Sequence, residues 1–142
     1  MPEPPASCAS PVTVLIVEHP DVSKFLRHYL ENYSGFTVIE AATVAQATLL
    51  LRTPGVRIDL LITNKPQELY GLRDGLKLLY TASIPDERFI RLVGARNFAV
   101  LRKPFHTDQL LAKLCWLLAA PELAAALRAR LSYGKEASES GH

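Results

Sequence analysis

The sequence predicts an α/β fold: a doubly wound sheet of five parallel strands with helices on both faces. Short runs rich in β-branched and aliphatic residues alternate with amphipathic stretches through the middle of the chain. These runs lack a clean in–out alternation, the mark of strands buried on both faces. Polar residues gather just after several of them, where open parallel sheets place their ligand sites. At 142 residues, 49% hydrophobic and 21% charged, the chain is long enough for one domain with a two-sided core.

The elements follow in order. Residues 1–11, MPEPPASCASP, are rich in proline, have no hydrophobic period and read as a disordered leader. VTVLIV at 12–17 is the first strand. Pro20 and Asp21 open a helix in which Val22, Phe25, Leu26, Tyr29 and Leu30 form an apolar stripe, and Ser34-Gly35 stops it. FTVIEA at 36–41 is the second strand. Thr43 caps a helix over 44–52, which Pro54-Gly55 ends.

IDLLIT at 58–63, LKLLYTA at 76–82 and FAVLRK at 98–103 are the third, fourth and fifth strands, with a helix from PDERFIRLVGAR between the last two. Residues 107–119 form a long helix with Leu110, Leu114, Leu117 and Leu118 as its core stripe and Trp116 at the stripe's edge. The domain therefore spans 12–119. Pro121 begins an extra C-terminal helix within 120–132, where Leu123, Leu127 and Leu131 repeat at i, i+4, i+8; 133–142 is a polar tail.

One connection is abnormal. Only the segment Lys65 to Gly75, interrupted by two glycines, joins the third and fourth strands. A parallel crossover normally needs a dozen residues or more, with a helix among them. The third helix is therefore shortened to one turn or missing.

Composition excludes several classes. A formal charge of +2 is too small to imply nucleic-acid binding, which needs a clustered basic face, so nucleic acid is not an expected partner. No apolar run approaches the ~20 residues of a membrane span, and VTVLIV is too short for a signal-peptide core. Cys8 and Cys115 lie in a proline-rich leader and a helical stretch, which suggests reduced thiols rather than a disulfide framework. The expectation is a cytoplasmic protein.

The strand ends carry the chemistry. Glu18-His19 follows the first strand, Asn64 the third, Thr81 the fourth and Lys103 the fifth. With VLIVEHPDV, DLLITN, YTAS and LRKPF in this order, residues 12–119 resemble the receiver domain of bacterial two-component response regulators, the CheY-like, flavodoxin-like fold. The resemblance implies a phosphorelay signalling module. In that family an acidic pair after the first strand and an aspartate after the third bind Mg²⁺, and the aspartate accepts a phosphoryl group. A Thr or Ser and a Lys contact the phosphoryl oxygens. Glu18 matches the first acid, Thr81 the hydroxyl and Lys103 the lysine, and Pro104 matches a proline that is cis in the family.

Two key positions depart from the pattern. His19 stands where the second acid belongs, and Asn64 where the phosphoacceptor belongs. An amide is a poor nucleophile for making an acyl phosphate, and a neutral imidazole suits Mg²⁺ badly. Val100 replaces the aromatic residue found three positions before the lysine. The sequence thus reads as a stand-alone degenerate receiver with no enzymatic activity, metal or cofactor. It would act through a protein partner, a sensor kinase or another signalling protein; the oligomeric state is left open.

Glu18 and Lys103 are expected to balance each other at a partly wet strand end, with Asn64 donating to the first and accepting from the second. One alternative is a phosphorylatable receiver using a non-standard acceptor such as Asp74; Asp59 would lie about 16 Å away, at the wrong end of its strand. Another is a small flavodoxin-like nucleotide-binding protein, disfavoured because EHPDVSK contains no glycine for a phosphate loop. His28 and His106 read as solvated surface residues.

Overall fold

The strands β1 (Val12–Val17), β2 (Phe36–Glu40), β3 (Leu60–Thr63), β4 (Lys77–Ala82) and β5 (Phe98–Arg102) form one parallel sheet in the order β2-β1-β3-β4-β5. Between and after them run α1 (Pro20–Glu31), α2 (Val44–Arg52), α3 (Pro66–Leu69), α4 (Glu87–Val93) and α5 (Thr107–Leu118). This computed structural model describes residues 12–32, 36–93 and 97–118. The predicted leader, the Ser34-Gly35 stop, the extra C-terminal helix and the tail lie outside the described residues. Among the described residues no helix is long and apolar enough to cross a membrane.

The central strands are apolar throughout because both of their faces are covered. Val14, Ile16, Leu60, Ile62, Leu79 and Leu101 turn to one side, where they meet Leu26 and Leu30 of α1 and Leu110, Leu114 and Leu117 of α5. Leu15, Leu61, Leu78, Tyr80 and Phe98 turn to the other, against Ala47 and Leu51 of α2 and Leu69 of α3. Alternate residues of one strand thus feed two different cores.

Local chemistry sets the helix starts. Pro20 occupies the first turn of α1, where its missing N–H costs nothing. The hydroxyl of Thr43 accepts from the Gln46 N–H at 3.1 Å and caps α2. Asp86 caps α4 by accepting from the N–H groups of Arg88 and Phe89 at 3.1 and 3.2 Å.

Several boundaries and burial assignments differ from expectation. β3 starts at Leu60, not Ile58, because the Asp59 carboxylate accepts the Thr13 N–H at 2.8 Å in place of a ladder carbonyl. On α5 the buried stripe is Leu110, Leu111, Leu114 and Leu117, while Leu118 is half-buried and Trp116 is 58% exposed. On α1, Ser23 is buried within the apolar face and Phe25 is partly exposed, stacked on Tyr29 with ring centroids 6.0 Å apart.

The short β3–β4 connection keeps a single helical turn. Leu69 anchors it with no exposed surface. Arg73, further along, reaches across to the end of α2. Its guanidinium donates to the carbonyls of Leu51 at 3.0 Å, Val56 at 2.5 Å, and Leu50 and Thr53 at 3.2 Å. A helix C-terminus leaves carbonyls without intrahelical donors and carries partial negative charge, and a planar cation satisfies both needs.

Candidate functional site

Parallel register brings the strand ends level. Val17 lies beside Thr63, Thr63 beside Tyr80, and Thr81 beside Leu101. Glu18, one residue past β1, therefore emerges among the residues that end β3, β4 and β5.

The Glu18 side chain has no exposed surface. Burying an ionised carboxylate is costly unless its oxygens are paired and hydrogen-bonded. Here they are. The Lys103 Nζ lies 2.9 Å from each carboxylate oxygen, the Thr81 hydroxyl donates to Oε2, and the His19 backbone N–H donates to Oε1 at 2.8 Å. Lys103 is itself only 20% exposed in its side chain. Its backbone N–H donates to the Ala82 carbonyl at 2.9 Å, which holds the end of β5 against β4. The Lys103–Pro104 peptide bond is cis.

Glu18, Thr81 and Lys103 are thus brought together, whereas Asn64 and His19 play other parts. Asn64 is half-buried at the end of β3, and its side chain makes no hydrogen bond among the described residues. The expected bridge from Asn64 to both Glu18 and Lys103 is not formed. Both Glu18 oxygens are already supplied with donors, and Lys103 donates to both of them. The Thr63 hydroxyl, fully buried, accepts from the Lys65 N–H at 3.0 Å and shapes the turn that follows.

His19 turns away from the pocket. Its Nδ1 accepts from the Asp21 N–H at 3.3 Å, so the imidazole serves as the N-cap of α1, and its side chain is 64% exposed. Short polar residues usually do this work. The contact could have been read from position alone, since His19 directly precedes Pro20 and Asp21.

Asp74 lies at the far end of the sheet. It lines a cavity with Val12, Asp59 and Lys77, the residues that open β1 and β4 and precede β3. It therefore cannot act as a substitute acceptor beside Glu18. Among the described residues no three His, Cys, Asp or Glu side chains gather as a metal-binding group.

A second carboxylate at this end of the sheet was missed from sequence. Glu40, which ends β2, accepts from the Ser23 hydroxyl at 2.7 Å and from Arg27 at 2.8 Å. These partners, Ser23 first, hold its pKa below the ordinary value. The signal lay in Ser23, a small polar residue inside the otherwise apolar stripe of α1.

Val100 sits beside Tyr80 in register, half-buried against the same core. Tyr80 is buried, and its hydroxyl accepts from the Asp86 N–H at 2.9 Å. An aromatic ring does occupy this part of the fold, then, but it comes from β4 and not from β5.

No protein-family model matches the chain, and no curated protein does. Solved structures do. A response regulator from Thermotoga maritima is similar at 24% identity with a TM-score of 0.61, over 78% of this chain and 99% of that one. The Vibrio cholerae chemotaxis protein CheY4 is similar at 21% identity and a TM-score of 0.60, over 76% and 99%. The receiver domain of the hybrid histidine kinase CckA is similar at 19% identity and 0.55, over 75% and 98%. The likeness in each case is one of fold, and that fold is the five-stranded parallel receiver architecture.

Proposed function

We propose that the chain is a degenerate receiver: a non-catalytic signalling module that works by contact with a protein partner, without phosphorylation at the end of β3. One observation carries this reading. Among the described residues the buried charge of Glu18 is matched by Lys103 alone, and the neighbouring strand end offers an amide, Asn64, in place of a nucleophile. A phosphoryl acceptor of this fold needs a carboxylate there, together with enough negative charge to hold Mg²⁺. Glu18 instead spends its oxygens on Lys103 and Thr81. The partner would be a sensor kinase or another signalling protein in the cytoplasm, and neither nucleic acid nor a cofactor is required.

The test is direct. Incubation with acetyl phosphate and Mg²⁺ should leave the intact mass unchanged, and calorimetric titration with Mg²⁺ should show no saturable binding through the millimolar range. Asn64→Asp alone should label poorly, because His19 still occupies the position of the second acid. His19→Asp combined with Asn64→Asp should label better. A stable phosphoryl adduct on the unmodified protein would overturn the reading.

A further inference from the structure

Helix α4 is held differently from the other helices. None of its residues is buried, and Leu92 is 85% exposed. Its packing comes chiefly from Phe89, whose ring meets Tyr70 and Phe98 at centroid distances of 5.8 Å and Tyr80 at 6.3 Å. Ile90 and Val93 are half-buried beside it.

Among the described residues, the two ends of α4 are unequal. At the first turn Asp86 joins three elements: its N–H donates to the Tyr80 hydroxyl at 2.9 Å, its Oδ2 accepts from Gln67 Nε2 of α3 at 3.2 Å, and its Oδ1 caps the helix. Pro85, just before, is buried. The ion pair from Arg102 to Glu87 at 3.4 Å is solvent-exposed and adds little. At the other end Val93 borders a cavity of about 330 Å³, shared with Tyr70, Gly71, Leu76, Leu78 and Asn97. The cavity lies beside the β3–β4 connection, where a full-length third helix would supply packing. The wall of α4 there faces solvent-sized space and not packed side chains.

We propose that α4 is a latched arm: Asp86 holds its first turn to Tyr80 and Gln67, and the helix swings off as a unit while the sheet stays folded. Regions with few buried apolar contacts open at lower free energy than the core, and α4 meets that description. The swing separates the Phe89 ring from Tyr70, Tyr80 and Phe98. Nothing in this motion depends on whether the Glu18 pocket accepts a phosphoryl group.

Native-state amide exchange at low denaturant tests it. Amides 90–93 should exchange through an opening with a shallow denaturant slope, at least tenfold more populated than the opening that exposes Leu79 and Leu101. Tyr80→Phe should accelerate exchange at 90–93 by roughly five- to tenfold, the effect of one hydrogen bond, while Leu79, Leu101 and Leu114 keep their rates relative to global stability. Gln67→Ala, a change at an exposed position, should act in the same direction by a smaller factor and covers the case in which Tyr80→Phe fails to fold. If amides 90–93 share the slope and opening population of the sheet, the arm does not exist. If they open separately but respond to neither variant, Asp86 is not the latch.

Discussion

Glu18 draws its donors from the end of β4, from just beyond β5 and from the next peptide unit, so removing any one leaves the others committed to a buried charge. Lys103→Met is the sharpest case. From sequence the pocket looks partly wet and the cost would be about 1–2 kcal/mol. With the carboxylate side chain fully buried, the expected loss rises to about 3 kcal/mol, read as a lower denaturation midpoint. Asn64→Asp should also lower the midpoint in metal-free buffer, by about 1 kcal/mol, through repulsion with Glu18. Glu40 gives a pH dependence. Its folded pKa lies below the ordinary 4.5, so the unfolded chain takes up a proton first. Its contribution is complete above about pH 4.5 and is lost as the pH falls through the folded value. Ser23→Ala removes the first cause of that shift. Urea midpoints at pH 7 and pH 3 should therefore differ less in the variant than in the parent protein.

At the scale of elements, the short α3 and the long reach of Arg73 belong together. That the third helix is one turn or missing was legible in sequence, because eleven residues with two glycines leave no room for a full crossover helix. The structure keeps the one turn. What takes over part of the missing helix's structural role was not legible. Arg73 reads locally as a charged loop residue, yet it closes the carbonyl end of α2 with hydrogen bonds to Leu50, Leu51, Thr53 and Val56. Arg73→Met should cost about 2 kcal/mol by leaving part-buried carbonyls without their charged donor. Arg73→Lys should recover less than half of that loss, since an ammonium cannot present a planar fork. Thermal or chemical denaturation of the pair separates charge from geometry. The cap at His19 belongs to this scale too: its residue type suggested the pocket, and its direction places it on α1.

Across the whole molecule the sheet separates two cores that are unequally closed. The α1/α5 side is sealed by two helices that each supply fully buried leucines. The side carrying α2, α3 and α4 relies on Leu51, Leu69 and a group of aromatic rings, with α4 contributing no buried residue. Leu114→Ala, in the sealed core, should cost about 3 kcal/mol. Leu92→Ala on the exposed face of α4 should stay within about 0.5 kcal/mol. Comparing their denaturation midpoints tests that contrast.

The alternation of runs buried on both faces with amphipathic stretches determined the element order and the parallel sheet by itself, because strand and helix periods and their caps are local properties. Counting to the end of each apolar run also identified Glu18, Asn64, Thr81 and Lys103 as strand-end residues. Only the tertiary structure decided which of them meet. Thr81 and Lys103 supply the donors that Glu18 requires, Asn64 is left outside that set, His19 turns to a helix terminus, and Asp74 falls at the opposite end of the sheet. The physical reason is that a buried carboxylate must fill its lone pairs from groups that approach in space, and residue spacing along the chain does not encode the direction from which a donor arrives.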